Sequence, residues 1–343
     1  MQFVDQDLNP EYEAKAVCAS CASPDVLDEH PVKLCANCRD NFIKFPIPLW
    51  VKLFGAGIGV VMIISIIWLP KNFETAIALS KAEKAEKNKN YITEQHELEK
   101  AEKGIPNLAD LSAHMVIASF YNLDMVTMGA ALKKIENKSI DDADLIRRVN
   151  DVVAAMRSYY PSGAYDTAFS RYKKVPDTAL QRFVRLNPTD VNAIYMLAQS
   201  YIEKEKYNEA DTILSRVLQI EPDLLPGMYS KGMVKREIDQ LDSSIYYCDK
   251  ALEIDHQSVY ALSCKARTIM KSGRHKEGLD MALKVEQLNK TDPYNTSTLA
   301  IAYHFNSNFA MRDQLLHKAE KDSTLASYMK YARDVISGKE KYK

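Results

Sequence analysis

The stretch VNAIYMLAQSYIEKEKYNEADTILSRVLQIEPDL, residues 191–224, decides the fold, because its pattern returns downstream at a constant interval. The motif LAQSY at residues 197–201 recurs as LAIAY at residues 299–303, and the two motifs are 102 residues apart, three times 34. Gly232 and Ala266 fill the same small-residue position on the two intervening occasions. A fixed period of this length indicates an array in which each repeat is one supersecondary unit.

A small residue at the eighth and twentieth positions of a 34-residue period, with an aromatic residue at the eleventh, is typical of the tetratricopeptide repeat (TPR) family, which this chain resembles. Small residues at these positions let two antiparallel helices approach closely. The resemblance covers residues 187–325 as four repeats that begin at Val191, Leu225, Val259 and Pro293. The fourth repeat departs from the pattern at Arg312, where a small residue is expected, so its second helix is in doubt. The resemblance implies an all-α fold, a right-handed TPR-like helical solenoid.

The regions that flank these repeats also show helical periodicity. Residues 105–186 resemble degenerate repeats, with a break near residues 159–163. Residues 326–343 form a predicted capping helix and a frayed tail, because the last repeat of an array otherwise exposes an apolar face.

In the TPR family, a concave groove lined by the first helix of each repeat binds peptides or extended segments of partner proteins. The family's groove positions correspond here to Asn192, Tyr195, Gln199, Tyr229, Met233, Arg236, Tyr260, Arg267, Lys271, Tyr294 and His304. Tyrosine and arginine are favoured at protein interfaces, although these side chains also suit solvated helix faces. The set lacks the lysine and asparagine constellation with which chaperone-binding members hold a terminal carboxylate, so a chaperone-tail receptor is disfavoured.

An apolar run at residues 46–70 predicts a single transmembrane helix. Residues 53–69 carry no charge, and Trp50 and Trp68 lie where interfacial aromatic residues are expected. The alternative is a buried core helix. The first nine residues lack the features of a cleavable signal peptide, so we expect an uncleaved signal anchor.

The residues within and after the span lead to two weaker expectations. Gly55 and Gly59 form a GxxxG pair, through which two such helices could associate as a homodimer. Residues 71–104 are rich in Ala, Glu and Lys and predict a charged juxtamembrane helix or helix pair that ends at the stop signal near Gly104. A flexible charged stalk is the alternative.

Residues 1–45 form a small head with two Cys-x-x-Cys pairs, Cys18 with Cys21 and Cys35 with Cys38. This spacing is typical of a closed, structural Zn²⁺ site with four thiolate ligands, and disulfide or redox chemistry is the alternative. The head resembles bacterial zinc ribbons, although Ala22 and Arg39 replace the glycines that often follow the second cysteine. Metal binding would supply much of the folding energy of so small a unit.

Charge and motifs limit the possible functions. The net charge of the chain is -1, and the head has eight Asp and Glu against four Lys and Arg, so we predict no nucleic-acid partner. No phosphate-binding loop, HExxH, GxSxG or Rossmann fingerprint occurs, so we expect no enzymatic activity. His114, His256 and His304 have no companions at metal-ligand spacing and are expected to pack or to face solvent.

These observations predict a membrane-anchored adaptor or scaffold that binds a partner protein through the TPR groove and a second partner through the zinc head. The layout is similar to that of single-span TPR proteins of bacterial inner membranes that attend protein translocation or envelope assembly. One alternative is a zinc-responsive or redox-responsive membrane sensor that signals through the head. Another is a hydrolytic enzyme with an unrecognised site in residues 105–186.

The sequence contains conflicting evidence on membrane orientation. Thiolate ligands favour a reducing compartment, which places the N-terminus in the cytoplasm and the repeats on the far side. The lysines that follow the span, such as Lys81 and Lys84, favour the opposite orientation. We expect the first orientation, because several of these lysines are far from the interface and alternate with glutamates.

Overall fold

The computed structural model describes residues 15–27, 29, 31–43, 47–340 and 342, with the backbone alone for residues 67–72. Residues 1–14 of the predicted head, the predicted interfacial side chain of Trp68 and two residues of the predicted tail lie outside the described part. The contacts divide the chain into two compact units, Met1–Pro70 and Lys71–Lys343.

The first unit contains the cysteine-rich head. Its described part contains no β-strand and consists of a turn at residues 19–21, cross-loop hydrogen bonds and one short helix, α1 (Ala36–Ile43). The backbone N–H of Ala19 donates to the carbonyl of Lys33 over 2.9 Å, and Leu27 N–H donates to Leu34 over 3.0 Å. These bonds bring the two Cys-x-x-Cys segments side by side.

The next helix, α2 (Leu49–Lys87), contains the apolar run. Its window Leu49–Ile66 has a mean hydropathy of 2.1, and none of the window is buried. By length and composition this window is long and apolar enough to cross a membrane. Trp50, Phe54 and Ile66 are each at least 65% exposed, so this window is not the buried core helix that the sequence left as an alternative.

Among the described residues of the second unit, every regular element is a helix, and one of them is a short 3-10 helix, Met156–Ser158. After the end of α2, its helices are α3 (Tyr91–Gly104), α4 (Ala109–Tyr121), α5 (Met125–Ile135), α6 (Ala143–Ala155), α7 (Gly163–Phe169), α8 (Asp177–Leu186), α9 (Val191–Glu203), α10 (Tyr207–Ile220), α11 (Leu225–Glu237), α12 (Leu241–Ile254), α13 (Val259–Lys271), α14 (His275–Leu288), α15 (Pro293–Phe305), α16 (Phe309–Glu320) and α17 (Ser323–Ile336).

The TPR-like solenoid predicted from the sequence is confirmed. Helices α9, α11, α13 and α15 begin at the four predicted first positions, and each is followed by the second helix of its pair. Asp190, Ser258 and Asp292 accept hydrogen bonds from backbone N–H groups three residues further on. Such side-chain caps satisfy N–H groups that have no partner in the first turn of a helix.

The turn inside each repeat uses a left-handed backbone conformation at the same position. Glu205, Asp239, Gly273 and Ser307 have φ values of 58°, 58°, 87° and 58°, and they follow one another at intervals of 34 residues. Only one of the four is glycine, the residue for which this conformation carries no steric penalty. The left-handed turn therefore recurs at the same 34-residue interval as the sequence motif.

Close helix packing explains the small residues of the repeats. A Cβ atom on Gly278 would overlap Met270 Cγ and lie 3.0 Å from the carbonyl oxygen of Ala266. Larger side chains there would force α13 and α14 apart. Arg312 does not prevent α16 from forming, because its guanidinium is partly exposed and binds Asp313, with Nε 2.7 Å from Oδ1.

Residues 71–104 are helical apart from a turn near residues 88–90, and part of this segment packs against the following helices. Ala78 and Ala82 of α2, together with Tyr91, Leu98 and Ala101 of α3, are buried in one core with residues of α4 to α6. Alanines on one face allow a charged helix to approach its neighbours closely. The lysines between them remain exposed, whereas Glu94 and Glu97 are buried.

The C-terminal helix α17 packs against α15 and α16. Leu325, Met329, Ala332 and Val335 are buried and pack into one cluster with residues such as Ala300 of α15.

Candidate functional site

The four cysteines of the head lie together. The Sγ atoms of Cys18, Cys21, Cys35 and Cys38 are all within 4.8 Å of one another, and those of Cys21 and Cys35 are 3.5 Å apart. All four are free thiols. Small shifts of these side chains would suit a tetrahedral ion with metal–sulfur distances of about 2.3 Å. The donor set therefore fits the predicted zinc ion, whose presence remains a prediction.

Local hydrogen bonding favours the thiolate form of one of these cysteines. The backbone N–H of Cys35 lowers the pKa of the Cys18 thiol to about 6, against an opposing effect of burial, whereas hydrogen bonding among the thiols raises the pKa of Cys21 and Cys38. Cys18 is 2% exposed and Cys35 is 8% exposed, so the cluster has an inner and an outer side. A metal site requires thiolates, and this environment favours at least one of them.

Several of the predicted groove residues form hydrogen bonds between neighbouring repeats. The hydroxyl groups of Tyr195 and Ser230 are 3.2 Å apart, and Gln199 Nε2 donates to Ser230 Oγ over 2.8 Å. Arg267 Nε donates to Thr298 Oγ1 over 2.8 Å. These side chains hold one repeat to the next, a structural role that the resemblance did not predict.

Two of the predicted groove cations lie under the C-terminal helix and tail. The guanidinium groups of Arg236 and Arg267 lie 5.8 Å and 5.2 Å from the ring centroid of Tyr331, and these arginines are 1% and 3% exposed. The Tyr342 hydroxyl donates to the carbonyl oxygen of Arg267 over 3.2 Å, and its ring stacks on Phe305. The tail was expected to be frayed, yet at Tyr342 it is packed. Burial leaves Arg236 and Arg267 little surface for a partner.

The other predicted groove residues differ in exposure. Lys271 is buried and binds Asp239, with Nζ 2.9 Å from Oδ1, and Asn192 is 6% exposed. The half-buried imidazole of His304 lies 3.2 Å from Arg312 Nη1, and burial together with this cation lowers its pKa. Met233 is half-buried.

Three tyrosines of the predicted groove form a ladder along the first helices of three successive repeats. The ring centroids of Tyr229 and Tyr260 are 5.7 Å apart, and those of Tyr260 and Tyr294 are 6.0 Å apart. Arg267 stacks on the last ring, with its guanidinium carbon 4.0 Å from the centroid. Tyr260 is 39% exposed, so the middle of the ladder can contact a ligand.

The ladder borders a cleft of about 700 Å³ between α3 and the repeats, which we call the acidic tyrosine cleft. Tyr229 and Tyr260 line it together with a set of four carboxylates: Glu99, Asp124, Asp255 and Asp292. Among the described residues, no lysine or arginine lines it, and His96 is its one histidine. The lining therefore combines aromatic faces with negative charge.

The carboxylates of the cleft differ in their surroundings. Burial, partly offset by the N–H of Gln257, raises the pKa of Asp255 to about 7. Burial also raises the pKa of Asp292, against a hydrogen bond from Asn295 N–H. Burial has the same effect on Asp124, but hydrogen bonds from Thr127 and Gln95 outweigh it and lower the pKa of this group. Asp124 is therefore charged at neutral pH, whereas Asp255 is more readily protonated.

These carboxylates were not predicted from the sequence, because they follow no local motif. Asp124 and Asp292 occur at helix N-caps, where aspartate is common for structural reasons. Their common location depends on α3 lying beside the third repeat. The available signal was the position of Asp255 and Asp292 shortly before the predicted groove helices α13 and α15.

Comparison with known protein families identifies one tetratricopeptide repeat in this chain. Residues 191–224 match the family model for the tetratricopeptide repeat. A TPR repeat-containing protein of Methanocaldococcus jannaschii, MJ1428, is 24% identical over 167 residues, which is 46% of this chain and 29% of that protein. The mitochondrial import receptor subunit TOM70 of Mus musculus is 22% identical over 130 residues, 38% of this chain and 21% of that protein. The chain thus spans less than a third of the length of either relative.

Solved TPR structures are also similar to this chain. A thermophilic TPR protein of Thermus thermophilus, TTC0263, matches with 19% identity and a TM-score of 0.38, over 46% of this chain and 88% of that chain. YrrB, a TPR protein with an unusual peptide-binding site, matches with 17% identity and a TM-score of 0.33, over 59% of this chain and 97% of that chain.

Proposed function

We propose that this TPR-containing chain is a membrane-anchored, non-enzymatic adaptor whose acidic tyrosine cleft binds a basic segment of a partner protein. The observation that carries the proposal is the combination of stacked tyrosines and four carboxylates in one cleft without a lining lysine or arginine among the described residues. Lysine and arginine side chains bind carboxylates, and they also bind the faces of aromatic rings. An extended segment with alternating basic residues matches this chemistry best.

The protein class supports a binding role. The match of residues 191–224 is to a repeat family, and two similar proteins are named as an import receptor subunit and as a protein with a peptide-binding site. These names state the roles of those two proteins and not of this chain. For this chain we propose the corresponding general role, a scaffold for protein partners. We propose that it takes part in protein translocation or envelope assembly.

A binding experiment with the full chain in detergent micelles tests the cleft. We expect a fluorescent peptide of alternating lysine and alanine to bind, and the matching glutamate and alanine peptide not to bind. Affinity should fall with added salt, because exposed charge pairs are screened. Tyr260→Ala should weaken binding at least about fivefold, as expected for a residue that contributes more than about 1 kcal/mol at an interface.

Tyr246→Ala is the matched control, because Tyr246 is 55% exposed but lies on α12 outside the cleft. Equal binding of the acidic peptide, or equal losses for the two tyrosine variants, would contradict the proposal. Circular dichroism of both variants shows whether each is folded.

We propose that the window Leu49–Ile66 is the membrane anchor, which is supported by its length and by its exposed apolar side chains. An exposed apolar surface of this extent is rare on soluble monomers. The positions where Gly55 and Gly59 would carry a Cβ have no neighbouring atoms within 4 Å, which leaves this face open for a second helix. The proposed location is a bacterial inner membrane with the head in the cytoplasm. Protease treatment of sealed vesicles of known orientation tests it.

For the head we propose a structural zinc ion on Cys18, Cys21, Cys35 and Cys38 and a second protein partner. The supporting observation is that the four sulfurs lie within 4.8 Å of one another. The second candidate function, a redox-responsive sensor, uses the same cluster. Zinc content and thiol titration before and after mild oxidation distinguish the two, since a structural ion protects its thiolates and a sensor site loses metal.

A further inference from the structure

A second group of ligand-type side chains lies in the first three helices of the solenoid unit. Glu86 near the end of α2, Glu94 of α3 and His114 of α4 place one donor atom each within 4.8 Å of the others. His114 Nδ1 is 3.3 Å from Glu86 Oε2. The side chains of Glu86 and His114 are 14% and 29% exposed, so the group is largely shielded from water.

Glu94 lacks the partners that a buried carboxylate requires. It is 1% exposed, and neither of its oxygens has a hydrogen-bond partner among the described residues. Burial, together with the charge of Glu86, raises its pKa to about 9, although Arg148 acts in the opposite direction. Buried polar groups without partners are rare in folded proteins and need an explanation.

The charged groups around Glu86 and Glu94 would be compatible with one bound cation. Arg148 forms an ion pair with Oε1 of Glu86, so the other oxygen, Oε2, remains directed toward His114. In the described part of the chain, Glu94 has no such counterion within hydrogen-bonding distance. Binding of a cation between Glu86 Oε2 and Glu94 would satisfy the unpaired carboxylate and would favour its ionised form.

We propose that Glu86, Glu94 and His114 bind a divalent transition-metal ion. One imidazole and two carboxylates suit ions such as Zn²⁺ or Mn²⁺, and three protein ligands leave a coordination position for water. Rotation of the flexible glutamate side chains would bring the donor atoms, which already lie within 4.8 Å of one another, to metal–ligand distances of about 2.0–2.2 Å. The ion would join α2 to α3 and α4, which makes its role structural.

Zinc titration of the full chain tests the site independently of the head. In a variant with the four head cysteines replaced by serine, we expect one bound Zn²⁺ per chain after dialysis and a zinc-dependent rise in the thermal midpoint. Adding Glu94→Gln should lower the zinc affinity at least about tenfold, since even changes outside the ligand set cost about 10- to 100-fold. It should also abolish the rise in midpoint.

Glu97→Gln is the matched control, since Glu97 is on the same helix, is 8% exposed and pairs with Lys100. It should bind zinc as the parent does. His114→Gln provides a second ligand variant if Glu94→Gln does not fold. Absence of zinc from the folded parent, or undiminished affinity in folded Glu94→Gln or His114→Gln, would overturn the proposal. Neither result bears on peptide binding at the acidic tyrosine cleft.

Discussion

At the scale of single residues, the buried carboxyl group of Glu94 makes the stability of this protein depend on pH. The pKa of this group is about 9 in the folded chain and about 4.3 in an unfolded chain. Between these values the folded state holds a proton that the unfolded state has lost. Stability is therefore highest below the unfolded pKa and falls as pH rises toward the folded pKa.

We predict that Glu94→Gln flattens this dependence. In the presence of a chelator, the free energy of unfolding of the wild type should fall by up to about 1.4 kcal/mol per pH unit from this group alone. Asp255 adds to the fall below about pH 7, so the difference between wild type and variant is the quantity to measure. Urea denaturation between about pH 5 and about pH 8 provides it.

Glu97→Gln is the control, and its free energy of unfolding should depend on pH with the same slope as that of the wild type. Parallel slopes for wild type and Glu94→Gln would show that Glu94 does not carry a proton in the folded protein.

The residue scale also shows what local sequence patterns can reveal. The cysteine pairs were found because the ligands of that site are close in sequence. Glu86, Glu94 and His114 come from three helices and form no motif, and His114 was expected to pack or to face solvent. A weaker signal existed, since Glu94 shares a helix face with Tyr91, Leu98 and Ala101, which are buried.

At the scale of elements, the left-handed turn of each repeat should respond to glycine. Gly273→Ala should lower the free energy of unfolding by about 1–2 kcal/mol, because a side chain is penalised in this conformation. Glu205→Gly should raise it by a smaller amount, since glycine removes the same penalty but loses more entropy on folding. Urea denaturation of both variants measures the effects.

Gly129→Ala on α5 is the control, because a Cβ there meets no atom within 4 Å and the helix has ordinary geometry. It should stabilise by roughly 0.5–1 kcal/mol. If Gly273→Ala proves as favourable as Gly129→Ala, the turn does not impose the left-handed conformation in solution.

Sequence patterns predicted the helices of the repeats better than those that precede them. The repeats from Val191 onward repeat their small residues at fixed positions, which reflects helix contacts directly. Residues 71–104 are dominated by charge, and their burial depends on a few alanines whose neighbours are distant in sequence. Similarly, the cover that Tyr331 and Tyr342 place over two groove arginines could not be read from the repeat period.

At the scale of the whole solenoid unit, α3 and the loop before it are joined to the second repeat and its following loop. Thr93 N–H donates to Gln257 Oε1 over 2.9 Å, and Gln257 Nε2 donates to Thr93 Oγ1 over 2.8 Å. The backbone N–H of His256 donates to the carbonyl of Lys89 over 3.0 Å. We predict that Gln257→Ala speeds hydrogen exchange of the Thr93 amide while the amides of α13 keep their protection.

Gln314→Ala, a change on the exposed surface of α16, should leave exchange at Thr93 unchanged. Unaltered exchange of Thr93 in Gln257→Ala would show that the bidentate contact does not hold α3 in solution.

The contact between Thr93 and Gln257 has a consequence for folding, because 164 residues separate the two partners. Repeat arrays usually fold by local steps, since each repeat depends only on its neighbours. Here α3 completes its contacts only when the second repeat is present. More than half of the solenoid unit must therefore be synthesised before Thr93 and Gln257 can pair. Closing so long a loop costs entropy and raises contact order, which slows folding. We therefore expect the contact to couple the unfolding of α3 to that of the second repeat.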